Sequence, residues 1–231
     1  MIDFESFVLA AATDTLADEP AAREHADAVE FRMDFASDPL ATLDDYDGEL
    51  PLIATNRPAW EGGEAADGPD RLDALEAAVE HDAVGAVDVE LAAVTDGDAA
   101  RADATRVIEH AHAHDAAVIV STHDFEATPP RDRLDELLGA AAEYGDVAKL
   151  AVTATDPGDV LALLAATWAA TDEGRRVATM AMDEAGRHSR AVAPLYGSRI
   201  GYAPVDPASA TAPGQYDLAT LAALVAELEG E

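Results

Sequence analysis

Short, nearly continuous apolar runs recur along the chain at residues 7–13, 28–35, 50–57, 85–91, 117–125, 147–153, 176–182 and 198–203. Runs of that length read as strands buried on both faces, the habit of a parallel sheet. Between them lie acid-rich segments at 71–81, 99–114, 132–144 and 157–171, with a last one at 218–228, in which apolar residues return every three or four positions. That period predicts helices with one face turned to a core. Asp156-Pro157 marks one helix start, with proline in the first turn, and residues 95–98 mark another. Strands alternating with helices eight times over this length predict an α/β chain folded as a (β/α)8 TIM barrel, one catalytic domain over residues 1–231. A doubly wound open sheet is the second choice, but no Gly-x-Gly-x-x-Gly follows the first strand. Residues 204–215, rich in Pro, Ala, Ser and Thr, form the one long irregular stretch, and such a loop in a compact domain is usually functional or disordered.

Charge changes this picture. The chain carries 47 acidic residues against 14 basic ones, a formal net charge of -33. Self-repulsion at that density opposes compaction and excludes nucleic acid and anionic membranes as partners. The acids are spread through helices and loops, which predicts a halophilic surface that concentrated salt screens rather than a dense patch for a basic partner. There is no cysteine, so disulfides and thiolate metal sites are excluded. No apolar run approaches the ~20 residues of a membrane span, and residues 1–5 lack the basic start of a signal peptide, so a soluble cytoplasmic protein is expected.

Of the 14 basic residues only Lys149 is lysine, and it stands inside the apolar run 147–153. A lysine amine is costly to bury, yet it can lose its proton and attack a carbonyl, which arginine cannot. Other strand ends also break the apolar rule, at the end of a barrel where active sites lie. Glu30, Arg32 and Asp34 share one face by the period of two, either as a buried ion-pair ladder or as a substrate site. Arg57 is followed by Glu61-Gly62-Gly63, which suits a loop folded closely over a ligand as well as an ordinary turn. Asp88 and Glu90 pair on the fourth strand, where bonds to barrel arginines explain them as well as catalysis does. His123 closes the fifth strand, positioned for acid–base work. Arg190, after the seventh strand, is placed to clamp a carboxylate. Met180 and Met182 read as core. His110, His112 and His114 fall in the last turns of a helix, where their charge complements the helix dipole, and no third ligand for a metal is evident.

Glu-x-Arg-x-Asp, Arg-x-x-x-Glu-Gly-Gly, Ser-x-His-Asp-Phe, Lys-Leu-Ala-Val, Met-x-Met, Ser-Arg, Gly-Ser and Ala-Pro-Gly-Gln occur in that order between Glu30 and Gln215. The succession resembles type I 3-dehydroquinate dehydratase, a (β/α)8 lyase of the shikimate pathway. The resemblance implies that Lys149 forms a Schiff base with 3-dehydroquinate, that His123 is the general acid and base, and that Glu61 pairs with it. It implies that Glu30, Arg32 and Arg57 surround the substrate hydroxyls, and that Arg190 and Gln215 hold the carboxylate and close the site. Thr211 falls where the family usually has serine, and the hydroxyl is retained. The alanine-rich residues 9–12 stand where many members place a serine. The family also implies a homodimer and no metal or organic cofactor. With Arg57 and Arg190 nearby and little water, the site is expected to favour an uncharged amine. A class I aldolase uses the same lysine chemistry on the same fold, and an acidic binding protein is the non-enzyme alternative.

Overall fold

The computed structural model describes residues 2–95, 97–205 and 214–230, leaving out the side chains of residues 98–100. Its strands are β1 (Val8–Thr13), β2 (Ala28–Arg32), β3 (Leu52–Thr55), β4 (Val84–Glu90), β5 (Ala117–Asp124), β6 (Val147–Thr153), β7 (Val177–Met182) and β8 (Ile200–Pro204). All are parallel and follow sequence order around the sheet, with β1 pairing both β2 and β8. Between β7 and β8 the ring is joined by the single bridge Val177↔Ser198, reinforced by Arg199 N–H donating to the Val177 carbonyl at 2.7 Å. This near-closed ring is the (β/α)8 barrel, not the open sheet.

The helices are α1 (Glu19–Ala22), α2 (Pro39–Asp44), α3 (Pro69–Val79), α4 (Leu91–Thr95), α5 (Asp98–Ala113), α6 (Arg131–Ala142), α7 (Pro157–Asp172), α8 (Asp183–Gly186), α9 (Ser189–Val192) and α10 (Leu218–Glu229). The long ones match the periodic segments to within a few residues. The short ones span too little chain to show a period. At α7 the expected start is a full capping box: Asp156 accepts from Gly158 N–H at 2.6 Å and Asp159 reaches back to the Asp156 N–H. The signal at 95–98 divides differently, since Thr95 ends α4 and Gly97, at φ +71°, precedes α5.

Two apolar layers hold the barrel. Inward residues, among them Ala10, Ala28, Ile53, Ala86, Ile119, Val147 and Ala178, fill the interior, and Ile2 and Phe4 belong to the same cluster. Outward residues such as Phe31, Val87, Val118 and Leu150 pack against Leu72, Val107, Leu134 and Leu163 of the helices. Because both strand faces are buried, nearly continuous apolar runs form where amphipathic strands would alternate. The small alanines of β1 and β2 fit the narrow interior, and β1 contributes none of the residues lining the pocket described next.

Candidate active site

At the C-terminal end of the barrel a pocket with about 550 Å³ of empty space is lined by Glu30, Arg32, Arg57, Glu61, His123, Lys149, Arg190 and Gln215, with Thr55, Phe125, Met180, Met182 and Tyr202 among the rest. Every expected site residue is thus in one cavity except Thr211, which lies outside the described residues, as do residues 206–213 of the long loop. The two methionines, read as core, are pocket wall as well.

Register explains the gathering. In parallel pairs, residues opposite one another face the same way. Ser121 on β5 stands opposite Lys149 on β6, and His123 opposite Ala151, so Lys149 and His123 enter the cavity one layer apart. On β4, Asp88 pairs with Ile119 and Glu90 with Ser121, which turns both acids inward.

The amine of Lys149 is only 4% exposed at the residue level. Its Nζ donates to Asp88 Oδ2 at 2.8 Å, lies 3.8 Å from Glu30 Oε1, and sits 4.2 Å from the centre of the Tyr202 ring. The expected arginine surroundings are therefore corrected: the nearest charges are carboxylates. Arg57 lines the same pocket and shares Asp88 with the amine, at 2.8 Å from Asp88 Oδ1 and 2.7 Å from Glu90 Oε1, and donates to Ser121 Oγ at 2.7 Å. Burial works against the Arg57 cation, but Asp88, Glu90 and Glu61 outweigh it and raise its pKa above the usual arginine value. Burial also opposes charge on Asp88, yet Arg57 and Lys149 hold that carboxyl well below the usual range. Glu90 also forms an ion pair with a second arginine, Arg71, at 2.8 Å. Burial pushes Glu90 up against the pull of those two cations.

His123 lies one residue before the end of β5 with Nδ1 3.4 Å from Glu61 Oε1, while its backbone N–H donates to the same oxygen at 2.9 Å. The imidazole stacks on Phe125 with centroids 5.9 Å apart. Glu61 is delivered by a turn at Ala59–Glu61 that ends at Gly62 with φ +80°, and a Cβ on Gly62 would strike the Phe125 ring. This is why Glu-Gly-Gly follows Arg57: the chain must double back against the His123–Phe125 pair. Burial raises the Glu61 carboxyl to about 8, with Arg57 opposing and Glu90 adding to the rise. Burial, with Arg57 and Lys149 adding to it, lowers His123 well below the ordinary histidine value. Burial thus favours the uncharged form of both partners, the neutral imidazole and the protonated carboxyl.

Glu30 also accepts from Thr55 Oγ1 at 3.1 Å, so it belongs to the amine's cage and not to an ion-pair ladder with Arg32. Arg32 makes a two-pronged bond to Asp34, at 2.9 and 2.7 Å, and lies over the Phe35 ring. β2 ends at Arg32, so Asp34 reaches back from the following turn rather than from the strand.

Ser189 anchors α9 by accepting from Ala181 N–H at 2.8 Å, which carries the buried Arg190 into the pocket. Burial lowers the Arg190 cation to about 10. Ser198 accepts from Thr179 N–H at 3.0 Å and so serves the β7–β8 seam. Gly214, at φ +75°, lies against the backbone of Asp183, and Arg187 covers the Tyr216 ring at 4.2 Å. These contacts seat Gln215 at the rim. Asp88, Ser121 and Tyr202 are the residues that pattern reading undervalued. Asp88 and Ser121 stand inside recognisable strands, but whether an inward acid meets an arginine or a reactive amine depends on register. Tyr202 gave no signal, being one aromatic in an apolar strand. Among the described residues no group of three or more His, Asp or Glu converges as a metal site. His110 and His114 rings meet at a tilt of 44°, 4.2 Å between centroids, and His112 meets Asp146.

A closed barrel with an amine, an imidazole and carboxylates converging at the C-terminal mouth has the make-up of a barrel enzyme. The chain belongs to the type I 3-dehydroquinase family, whose model matches residues 6–230. It is 63% identical to 3-dehydroquinate dehydratase of Haloarcula marismortui over all of both chains. It is 53% identical to that of Halobacterium salinarum, covering 99% of this chain and 100% of the relative. The crystal structure of 3-dehydroquinate dehydratase from Geobacillus kaustophilus superposes with a TM-score of 0.86 at 28% identity, over 98% of this chain and 92% of that one. Family membership identifies the protein as a lyase of halophilic type, displacing the aldolase and binding-protein readings.

Proposed function

We propose that the protein dehydrates 3-dehydroquinate to 3-dehydroshikimate in the shikimate pathway through an imine on Lys149. The observation that carries this reading is the buried Lys149 amine lining the same cavity as His123. The amine, once unprotonated, adds to the C3 ketone, and loss of water leaves a protonated imine. That imine withdraws electrons and acidifies the adjacent C2–H. His123 takes the C2 proton, giving an enamine, and returns a proton to the departing C1 hydroxyl, which leaves as water. Hydrolysis of the conjugated imine frees the product and Lys149. Glu61, fixed by the bond it accepts from the His123 backbone N–H, lies 3.4 Å from Nδ1 and orients the imidazole by that approach. Glu30, Arg32 and Arg57 contact the hydroxyls in this reading, while Arg190, Thr211 and Gln215 receive the carboxylate. The imine is itself the electron sink, so the route calls for no metal or organic cofactor.

Borohydride added with 3-dehydroquinate should fix a covalent adduct to Lys149, read by mass spectrometry. An adduct of equal yield on Lys149→Ala would overturn the assignment.

The same reading treats the whole chain as one catalytic domain working in the cytoplasm as a homodimer. The dimer is supported by α7, whose outward face carries Leu161, Ala165 and Trp168 and no charge between Val160 and Thr171. Two copies of so acidic a chain repel everywhere else. Sedimentation in molar KCl at the mass of one chain would remove the dimer, and recovery with the cell membranes would remove the location.

A further inference from the structure

The mechanism above leaves Asp88 unused, although it is the carboxylate in direct hydrogen-bond contact with the reacting nitrogen. It is completely buried, and each of its oxygens has a separate task. Oδ2 accepts from Lys149 Nζ at 2.8 Å; Oδ1 faces Arg57 at 2.8 Å and accepts from Ser121 Oγ at 2.6 Å. The groups around this pair come from every neighbouring wall: Glu30 from β2, Arg57 from beyond β3, Glu90 from β4, His123 from β5 and Tyr202 from β8. Glu30 is a second anion at 3.8 Å, and the Tyr202 ring turns its negative face to the same nitrogen. Arg57 meets Asp88 through the other oxygen, and His123 lines the same cavity as the amine. The cage is built for a cation on Nζ.

That is unexpected for a nucleophilic amine, but it fits the charge balance of the reaction. A lysine ammonium and a ketone give a protonated imine and water, so one positive charge is on the nitrogen before and after condensation. An imine that lost this proton would no longer draw electrons from C2. We propose that Asp88 is a catalytic counter-ion that keeps the imine nitrogen protonated, held anionic and in place for this by Arg57 and Ser121. This inference rests on the imine reading of the preceding subsection.

Removal of the anion destabilises a cation on the nitrogen, so the alkaline limb of the pH–rate profile should move to lower pH. In Asp88→Asn the expected displacement is about 1–2 pH units, the usual effect of one neighbouring opposite charge. Profiles are measured with 3-dehydroquinate at fixed KCl concentration, alongside borohydride trapping of both proteins. A variant that only loosened the structure would lower kcat without moving the limb, and an unmoved limb overturns the proposal.

Ser121→Ala gives an independent arm should Asp88→Asn not fold, because it leaves the Asp88–Arg57 and Asp88–Lys149 bonds in place. Loss of the hydroxyl that helps hold Asp88 anionic and in place weakens the counter-ion, so the limb should move to lower pH by less than in Asp88→Asn. No movement, or movement to higher pH, counts against the counter-ion. Failure to trap any adduct on Lys149 in the unaltered protein would instead sink the imine reading itself, whatever the profiles do.

Discussion

The surroundings of Glu61 push its carboxyl toward the protonated form. Burial raises it to about 8 from an ordinary 4.5, against the pull of Arg57. Because its folded pKa lies above its unfolded one, the stabilisation linked to its proton is fully present below about 4.5 and is lost as pH rises through about 8. Glu61→Gln cannot titrate and escapes that loss. The stability of the variant relative to the unaltered protein should therefore grow between pH 5 and pH 8. The gain is roughly a few kcal/mol, since each tenfold change in proton affinity is worth about 1.4 kcal/mol. Urea unfolding of both proteins at pH 5, 7 and 9 in one KCl concentration measures it, and a difference that stays constant with pH would refute the burial effect. At this scale, residue chemistry in the sequence pointed to Lys149 and His123, the family resemblance added Glu61, and all three line one cavity. It misjudged the amine's company. A carboxylate two residues from another on β4 carries no mark of which oxygen meets which cation, and only the β4–β5–β6 register decides that.

At the scale of elements, periodicity found every strand and every long helix, because burial of both strand faces and one helix face leaves a compositional trace. α7 shows how local the remaining control is. Its start rests on Asp156, which accepts from Gly158 N–H, and on Asp159 closing the box. Asp156→Ala should cost about 1 kcal/mol of unfolding free energy. Its kcat should stay unchanged, since the cap is not among the residues lining the pocket. Urea titration and an activity assay on the same sample check both halves; a large fall in kcat would mean that α7 couples to the pocket. The short helices α8 and α9 were not legible. Each is a single turn stabilised by tertiary anchors, the Ser189 bond to Ala181 being the clearest, and a single turn has no period to read.

For the whole molecule, a net charge of -33 sets the conditions under which the barrel holds together. Repulsion among surface carboxylates is long-ranged in dilute buffer and falls away at molar salt, where the screening length is about 3 Å. The midpoint of thermal unfolding should therefore rise steeply as KCl goes from about 0.1 M to about 2 M. A flat response would separate the acidic composition from salt adaptation. Buried pairs such as Arg57–Asp88 are shielded from that screening, so activity per folded molecule should vary less with salt than folding does.

Composition and pattern by themselves determined the barrel, the acidic surface and the ordered motifs by which the family is recognised, because burial periodicity and charge density are properties of the chain read one residue at a time. Tertiary structure alone decided that Asp88 and Glu30, not arginines, face the Lys149 amine, and that Ser121 and Tyr202 complete its cage. Those facts depend on strand register and on the closure of β8 beside β1, which bring Asp88, Glu30 and Tyr202 to 2.8, 3.8 and 4.2 Å from the Lys149 nitrogen. Contacts made across such separations are set by geometry in three dimensions, and linear spacing holds no record of them.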